Sequence, residues 1–328
     1  MNCWFLRAVL LLICLLAFPF RSPAPLIFVP GEGLRYEKAG DTNAGNWQRG
    51  RAKDQLEVAL AALDQKDHST ALKAARRTVK VWPLSDYAPH AQFVIGRCYE
   101  AEGKDEKAFA AYQKVLEKYP KIENHQEILL RQYQIATRFL AGQWFKLFGY
   151  IPFFPSMEKT AVMYDKIVKN GPYSEIAPKA QMDIGAAREK QSNFPLAVKA
   201  YERAADRYND RKDVAAEAFY KAGLAYNKQA RTAEYDQSVA ARAIATFTDF
   251  IALFPGDARV AEAQQLIASL KSEQARGSYQ TAKFYEKNKR WDGALIYYNE
   301  VLLKDPKSRL ASVARERIDL LKRRVGQN

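Results

Sequence analysis

Small, aromatic and apolar residues recur at regular spacings along most of the chain. In the stretch from Pro83 to Pro120, Gly96 and Ala108 occupy positions 8 and 20 of a repeat whose last proline is position 32. Tyr112 occupies position 24 of the same repeat. This spacing predicts two antiparallel helices joined by a short turn. The small residues allow the helices to approach, and the aromatic residue fills the space beside them.

The same pattern returns several times. The run from Pro83 to Gly96 is repeated from Pro172 to Gly185 with the same serine, alanine, proline, glutamine and isoleucine positions. This is the tetratricopeptide (TPR) pattern, in which successive helix pairs stack on one another. The sequence therefore predicts an all-α fold, a TPR-type α-solenoid. We expect a right-handed superhelix of about six helix-turn-helix units with a C-terminal capping helix.

The pattern also predicts the order of segments. Residues 1–24 are expected to be a signal peptide, and residues 25–50 an extended N-terminal arm that is rich in glycine and lacks apolar periodicity. The TPR solenoid is expected over residues 51–324. Its units lie near residues 51–83, 86–120, 123–172, 175–209, 213–255 and 258–306, and the cap covers residues 309–324.

The N-terminus predicts export. Arg7 precedes an apolar run over residues 8–18, which is short for a membrane span and suits the core of a signal peptide. Ordinary cleavage near Ala24 is the first interpretation. Lipidation of Cys14 is the second, because a bacterial lipoprotein carries its acyl chains on a cysteine that becomes the first mature residue. Either route predicts a periplasmic protein.

Composition and charge narrow the function classes. The net charge of +14 results from basic residues scattered over helix surfaces, without a basic run interleaved with aromatics, so no nucleic-acid partner is expected. No catalytic or metal-binding motif is present, which predicts a protein that is not an enzyme and has no cofactor. Cys98 is predicted to be a buried apolar residue. The three histidines are predicted to be surface residues: His68, His90 and His125.

The first helix of each unit is expected to line a groove. Aromatic and basic side chains alternate at the groove positions, and such a surface suits an extended peptide with aromatic residues and a free carboxylate. The alternative is that these residues only keep the groove soluble. The predicted partner-binding residues are Phe93, Arg97, Tyr133, Lys179, Lys190, Tyr220, Asn227, Lys228, Tyr279 and Lys283.

Three segments depart from the regular pattern. An insertion from Gly142 to Pro155 interrupts the third unit and is rich in aromatic residues. It could be buried as a buttress, or exposed as a contact surface for a partner or the membrane, and we expect at least two of four rings to be exposed. Those rings are Trp144, Phe148, Phe153 and Phe154. Residues 229–241 predict a lengthened polar turn, and residues 260–285 one long helix or two helices joined at Gly277.

The quoted repeats resemble a known family. The segment from Trp82 to Phe93 and the long helix leading to Trp291 are similar to those of BamD-type outer-membrane assembly lipoproteins. The resemblance implies a non-enzymatic scaffold that binds an Omp85-type insertase and the C-terminal segments of unfolded outer-membrane proteins. It also implies a location at the inner face of the outer membrane, with contact to the membrane periphery.

A second function remains open on the sequence alone. Periplasmic TPR adaptors for peptidoglycan or polysaccharide-export machinery share the fold and the leader. Both functions require protein partners, so the residues alone do not separate them.

Overall fold

The computed structural model describes residues 26–29, 33–36, 47–147, 151–232 and 237–325. Within these residues the chain forms thirteen helices and four short strands. The helices are α1 (Ala52–Asp64), α2 (His68–Val81), α3 (Tyr87–Ala101), α4 (Asp105–Lys118), α5 (His125–Leu140), α6 (Met157–Asn170), α7 (Ala177–Lys190), α8 (Phe194–Arg207), α9 (Lys212–Thr232), α10 (Gln237–Leu253), α11 (Val260–Lys287), α12 (Trp291–Lys304) and α13 (Arg309–Val325).

The chain divides into two compact parts, Met1–Ile128 and Leu129–Asn328. In the first part, each helix from α1 to α4 packs on the next, and α1 also packs on α3. In the second part, the same neighbour-to-neighbour packing runs from α6 through α13. Contacts between successive helices are the signature of a helical repeat. The predicted fold class, an all-α TPR-type solenoid, is confirmed.

Side-chain caps and left-handed turn residues fix where helices begin and end. Asp67 accepts a hydrogen bond from the amide of Thr70 at 3.1 Å and starts α2. Asn193 accepts one from the amide of Leu196 at 3.3 Å and starts α8. The tight turns inside helix pairs are closed by residues with positive φ. They are Lys66, Gly103, Ser192 and Lys289.

The core repeats one contact between a small and a large residue. The ring of Tyr112 on α4 fills the space above Gly96 on α3, and a Cβ added to Gly96 would overlap that ring. Tyr201 packs on Gly185 in the same way. A branched side chain at either glycine would therefore have to displace that ring. The occupant of that space is the aromatic side chain of the paired helix.

The N-terminal arm contains a β-hairpin, which the absence of apolar periodicity did not predict. Strand β1 (Leu26–Val29) pairs antiparallel with β2 (Gly33–Tyr36). The signal-peptide residues 1–24, including Cys14, lie outside the described residues. The first helix begins at Ala52, one residue after the predicted start of the repeats.

The insertion in the third unit is a second hairpin between α5 and α6. Strand β3 (Phe145–Leu147) pairs antiparallel with β4 (Ile151–Phe154). The register opposes Phe145 to Phe154, with an irregularity directly after Phe145. Ser156 ends the insertion, because its hydroxyl accepts a hydrogen bond from the amide of Lys159 and starts α6.

Within the described residues, the structure shows how the chain runs over positions 229–241 and 260–285, the two irregular segments of the later repeats. Helix α11 continues through Gly277 without a break. The predicted polar turn over residues 229–241 is mostly helical, because α9 extends to Thr232 and α10 begins at Gln237. The prediction of a long turn was wrong. Alanines at this point, such as Ala230 and Ala240, are fully buried and continue the helix contacts.

Candidate partner-binding site

Four of the predicted site aromatics occupy position 5 of their repeats, and each packs against an aromatic residue of the core. Each ring contacts the aromatic residue at position 24 of its own helix pair, which fixes its orientation. The centroid distances are 5.7 Å for Phe93 to Tyr112, 5.6 Å for Tyr133 to Tyr164, 5.9 Å for Tyr220 to Phe247 and 5.7 Å for Tyr279 to Tyr298.

In the first compact part, α3 presents an aromatic ring beside a cation. The guanidinium carbon of Arg97 lies 5.9 Å from the centroid of the Phe93 ring. Both side chains are half-buried. The pair can therefore offer an apolar face and a positive charge to the same ligand segment.

In the second part, α11 carries a matching pair one turn apart. The ammonium of Lys283 lies 6.0 Å from the centroid of the Tyr279 ring. Lys283 is exposed and Tyr279 half-buried. The sequence predicted each of these residues as a groove residue in its own right. The structure shows in addition that each cation lies over the neighbouring ring.

Tyr133 belongs to a buried polar cluster that the sequence did not predict. Its hydroxyl donates to the Oδ2 of Asp183 at 2.7 Å, and the hydroxyl of Tyr164 donates to the Oγ1 of Thr137 at 3.2 Å. Burial raises the pKa of the Asp183 carboxyl, while the hydrogen bond from Tyr133 opposes that rise. Burial and Asp183 also raise the pKa of Tyr133 above its usual value.

The predicted lysines of α7 and α9 differ in their partners. Lys190 donates to the carbonyl oxygen of Leu140 at 2.6 Å, and Lys228 pairs with Glu189 at 2.5 Å. Lys179 is exposed. All three lysines are exposed, and the ammonium groups of Lys190 and Lys228 each reach a residue of another helix.

Tyr220 is the most buried of the predicted site residues. Tyr220 is 7% exposed and packs against Phe247 and Phe250, with the guanidinium carbon of Arg259 at 5.2 Å from its ring. Burial raises the pKa of Tyr220 to about 12. Asn227 is half-buried. Tyr220 therefore acts mainly as a core residue, because its ring is enclosed by α9, α10 and Arg259.

A hydrogen bond between a tyrosine and a glutamate recurs in several units, and the sequence analysis did not predict it. The position-24 tyrosine donates to the glutamate at position 12 of the paired helix. The distances are 2.7 Å for Tyr112 to Glu100, 2.8 Å for Tyr201 to Glu189 and 2.7 Å for Tyr298 to Glu286. The signal was available, because a glutamate follows each position-8 residue by four in these units.

Two of these glutamates also hold a cation from the next unit. Glu189 accepts from Lys228 of α9, and Glu286 pairs with Arg317 of α13. Burial and Glu189 raise the pKa of Tyr201, which keeps the hydroxyl protonated as a donor. The relay of tyrosine, glutamate and cation links one unit to the next with charge-assisted hydrogen bonds.

The aromatic insertion has one buried ring and two exposed ones among its described side chains. Phe145 is 4% exposed and stacks on Phe139 at 4.2 Å. Trp144 is 52% exposed and Phe154 is 40% exposed, which confirms that at least two of the four rings are exposed. Phe148 and the side chain of Phe153 lie outside the described residues.

Comparison with known families identifies the chain. Residues 156–327 match the family YfiO, described as outer membrane lipoprotein, and this match spans just over half of the chain. The chain belongs to this family. Residues 56–121 match a tetratricopeptide repeat family. The resemblance to BamD-type lipoproteins is confirmed, and the YfiO match includes α6 to α13 with most of the predicted groove residues.

Solved TPR structures are similar to the chain at low identity. The C-terminal part of a TPR repeat-containing protein from Cytophaga hutchinsonii is 15% identical, with 81% of this chain and 88% of that chain covered and a TM-score of 0.34. A TPR protein from Parabacteroides merdae is 13% identical, with coverages of 83% and 98% and a TM-score of 0.33. Such scores carry no argument about function. No curated protein sequence matches the chain.

Cys98 and the membrane and metal predictions can also be compared with the described residues. Cys98 is buried and unpaired, and burial raises the pKa of its thiol to about 11, so it is an inert apolar residue. Among the described residues, no His, Cys, Asp and Glu side chains group as a metal site requires. In the same residues, none of the helices has the length and apolar character needed to span a bilayer.

Proposed function

We propose that this YfiO-family protein is a non-enzymatic periplasmic scaffold for outer-membrane protein assembly, held at the inner face of the outer membrane. It would bind an Omp85-type insertase and the C-terminal segments of unfolded outer-membrane proteins. Family membership is the observation that carries this proposal. The fold supports it, because stacked helix pairs expose long surfaces that bind other chains.

The side-chain chemistry supports a peptide ligand. Exposed lysines at Lys179 and Lys283 can attract a terminal carboxylate. Rings held in place by the core, such as Tyr279, offer apolar contact at little entropic cost because they are already ordered. An extended segment with an aromatic C-terminus would satisfy both features.

Co-purification tests the proposal and separates it from the adaptor alternative. The protein, isolated from membranes of its native host, is expected to bring an Omp85-type insertase with it. A cell-wall or polysaccharide-export enzyme in place of the insertase would contradict the proposal. Membership in a family of outer membrane lipoproteins favours the first outcome.

Charge reversal on α11 tests the binding surface. Lys283→Glu should weaken binding of a synthetic peptide that carries a C-terminal aromatic residue and a free carboxylate by at least about tenfold, since it replaces an attraction by a repulsion. Lys271→Glu is the matched control, because Lys271 is exposed on the same helix but outside the predicted groove. Equal loss in both variants would mean that only net charge matters.

The exposed insertion can be tested separately. We propose that Trp144 contacts the membrane-associated partner, because large apolar residues at an interface often contribute about 2 kcal/mol or more. Trp144→Ala should then weaken capture of the insertase and leave the melting temperature almost unchanged. Phe145→Ala should instead lower the melting temperature, since its ring is buried against Phe139. A large loss of stability in Trp144→Ala with normal capture would contradict this role.

A further inference from the structure

A basic cleft in the first compact part has no role in the proposed function. It lies between α2, α3 and α4 and has a volume of about 370 Å³. Its rim carries four cations, and none of its described lining residues is a carboxylate. The cations are Arg76, Lys80, Lys107 and Lys114.

Three of the four rim cations make no ion pair within the described residues. No described carboxylate pairs with Lys80, Lys107 or Lys114, and all three are exposed. Arg76 donates to the hydroxyl of Tyr99 and lies 5.8 Å from its ring centroid. Tyr99 lines the cleft, and a tyrosine hydroxyl that accepts one hydrogen bond can also donate one.

The floor of the cleft is apolar, and the amide group of its buried polar residue already has a hydrogen-bond partner in the protein. Val79 and Ile95 line it, together with Ala111. The one buried polar side chain there, Gln92, donates to the carbonyl oxygen of Ala111 at 3.2 Å. A ligand that fits must therefore present an anionic group to the rim and apolar groups to the floor.

A second cleft at the equivalent place on α6, α7 and α8 is less basic, because a carboxylate is among its lining residues. Asp165 stands where the first cleft has Arg76, and Leu196 where it has Lys107. Asp165 pairs with Lys169 at 2.6 Å, and Arg188 pairs with Glu158. The second cleft also has two exposed cations, Lys199 and Arg203. The clefts therefore differ in degree, since four cations and no carboxylate line the first, whereas the second includes Asp165 and an arginine that is already paired.

We propose that the first cleft binds the headgroup region of an anionic phospholipid. Arginine and lysine bind phosphate oxygens through strong charge-assisted hydrogen bonds, and arginine can offer two parallel ones. The floor would contact the glycerol and the first methylene groups. The volume lies at the low end for ligand sites, which suits a headgroup rather than a whole lipid. This inference goes beyond the proposed scaffold function and does not rest on it.

Soluble short-chain lipids provide the test, because they separate headgroup recognition from general membrane attraction. Monomeric dihexanoyl-phosphatidylglycerol should bind to the purified mature protein and shift amide resonances of α2, α3 and α4. Dihexanoyl-phosphatidylcholine should bind at least about tenfold more weakly, because its choline ammonium is repelled by the rim cations. Inorganic phosphate should also bind more weakly, because it makes no contact with the floor.

Variants locate the site. Lys107→Gln with Lys114→Gln removes two rim cations and should weaken binding of dihexanoyl-phosphatidylglycerol by at least about tenfold. Lys66→Gln with Lys121→Gln is the matched control, since both lysines are exposed, lie outside the cleft and give the same change in net charge. Its affinity should stay within about twofold of the unchanged protein.

Three results would overturn the assignment. The first is that dihexanoyl-phosphatidylglycerol does not bind. The second is that inorganic phosphate binds with equal affinity, which would show an anion site without lipid recognition. Equal losses in the two double variants would show attraction by net charge alone. Both double variants are expected to stay folded, because none of the four lysines makes an ion pair within the described residues. Circular dichroism checks this.

Discussion

Two helix pairs of this protein, α3–α4 and α7–α8, are built on one internal plan and differ on their surfaces. Gly96 and Gly185 mark the same position in each, 89 residues apart. The internal hydrogen bonds are the same in kind and similar in length. They are Tyr112 to Glu100 at 2.7 Å and Tyr201 to Glu189 at 2.8 Å, Gln92 to Ala111 at 3.2 Å and Gln181 to Ala200 at 2.9 Å, and Tyr119 to Pro83 at 3.0 Å and Tyr208 to Pro172 at 3.2 Å.

The differences lie where the pairs face ligands or neighbouring helices. Arg76 corresponds to Asp165 in the two clefts. Buried Val94 corresponds to Asp183, which binds Tyr133. Packing therefore fixes the internal positions, since any change there must be accommodated by a close-packed partner. The outward positions are free to specialise, and each pair can carry its own binding chemistry.

The largest expected effect comes from filling the space above the position-8 glycine. Gly96→Leu and Gly185→Leu should each lower the free energy of unfolding by about 1–3 kcal/mol, because the new side chain must displace a buried tyrosine ring. Urea denaturation measures the change. Gly256→Ala is the control, since nothing lies within 4 Å of an added Cβ there. A loss in one pair only would mean that the two pairs are not packed alike.

This contact also marks what the sequence could predict. The spacing of Gly96, Ala108 and Tyr112 gave the helix pair and its small-for-large packing, because these positions are dictated by the core. The clefts and the hairpin were not predictable, since they depend on which exposed residues meet across helices that are distant in sequence. Asp183 was missed for the same reason: its partner, Tyr133, lies on another helix.

A smaller loss is expected from removing the tyrosine–glutamate bond. Tyr112→Phe and Tyr201→Phe should each lower the free energy of unfolding by about 1–2 kcal/mol, because the carboxylate loses a donor while the ring packing stays. Tyr173→Phe should change stability by less than about 0.5 kcal/mol, since that side chain is 97% exposed. Chemical denaturation of all three variants provides the comparison. No loss in either buried variant would contradict the role of the relay.

The buried carboxyl of α7 should give the second pair a pH dependence that Val94 cannot give the first. Burial raises the pKa of Asp183 above its unfolded value, so its contribution to stability is full below the unfolded pKa and declines as pH rises through the folded pKa. Lys221 opposes this effect and Glu217 adds to it. Asp183→Asn keeps an acceptor for Tyr133 and should remove this decline. Parallel slopes of stability against pH in the two proteins would contradict the prediction.

The smallest expected effect concerns the turns that join the two helices of each pair. Gly103 has φ +66° and Ser192 has φ +57°, so the same left-handed turn is made by glycine in one pair and by serine in the other. Left-handed backbone costs an ordinary L-residue about 1–2 kcal/mol, whereas glycine loses more chain entropy on folding. Ser192→Gly should therefore raise the free energy of unfolding by about 0.5 kcal/mol, and Gly103→Ser should lower it by a similar amount. Nothing lies within 4 Å of a Cβ added at Gly103, so side-chain clashes do not enter the second value. Thermal unfolding of the two single variants and of the double swap measures both changes, and a swap that is not close to neutral would mean that the turns differ in more than their backbone.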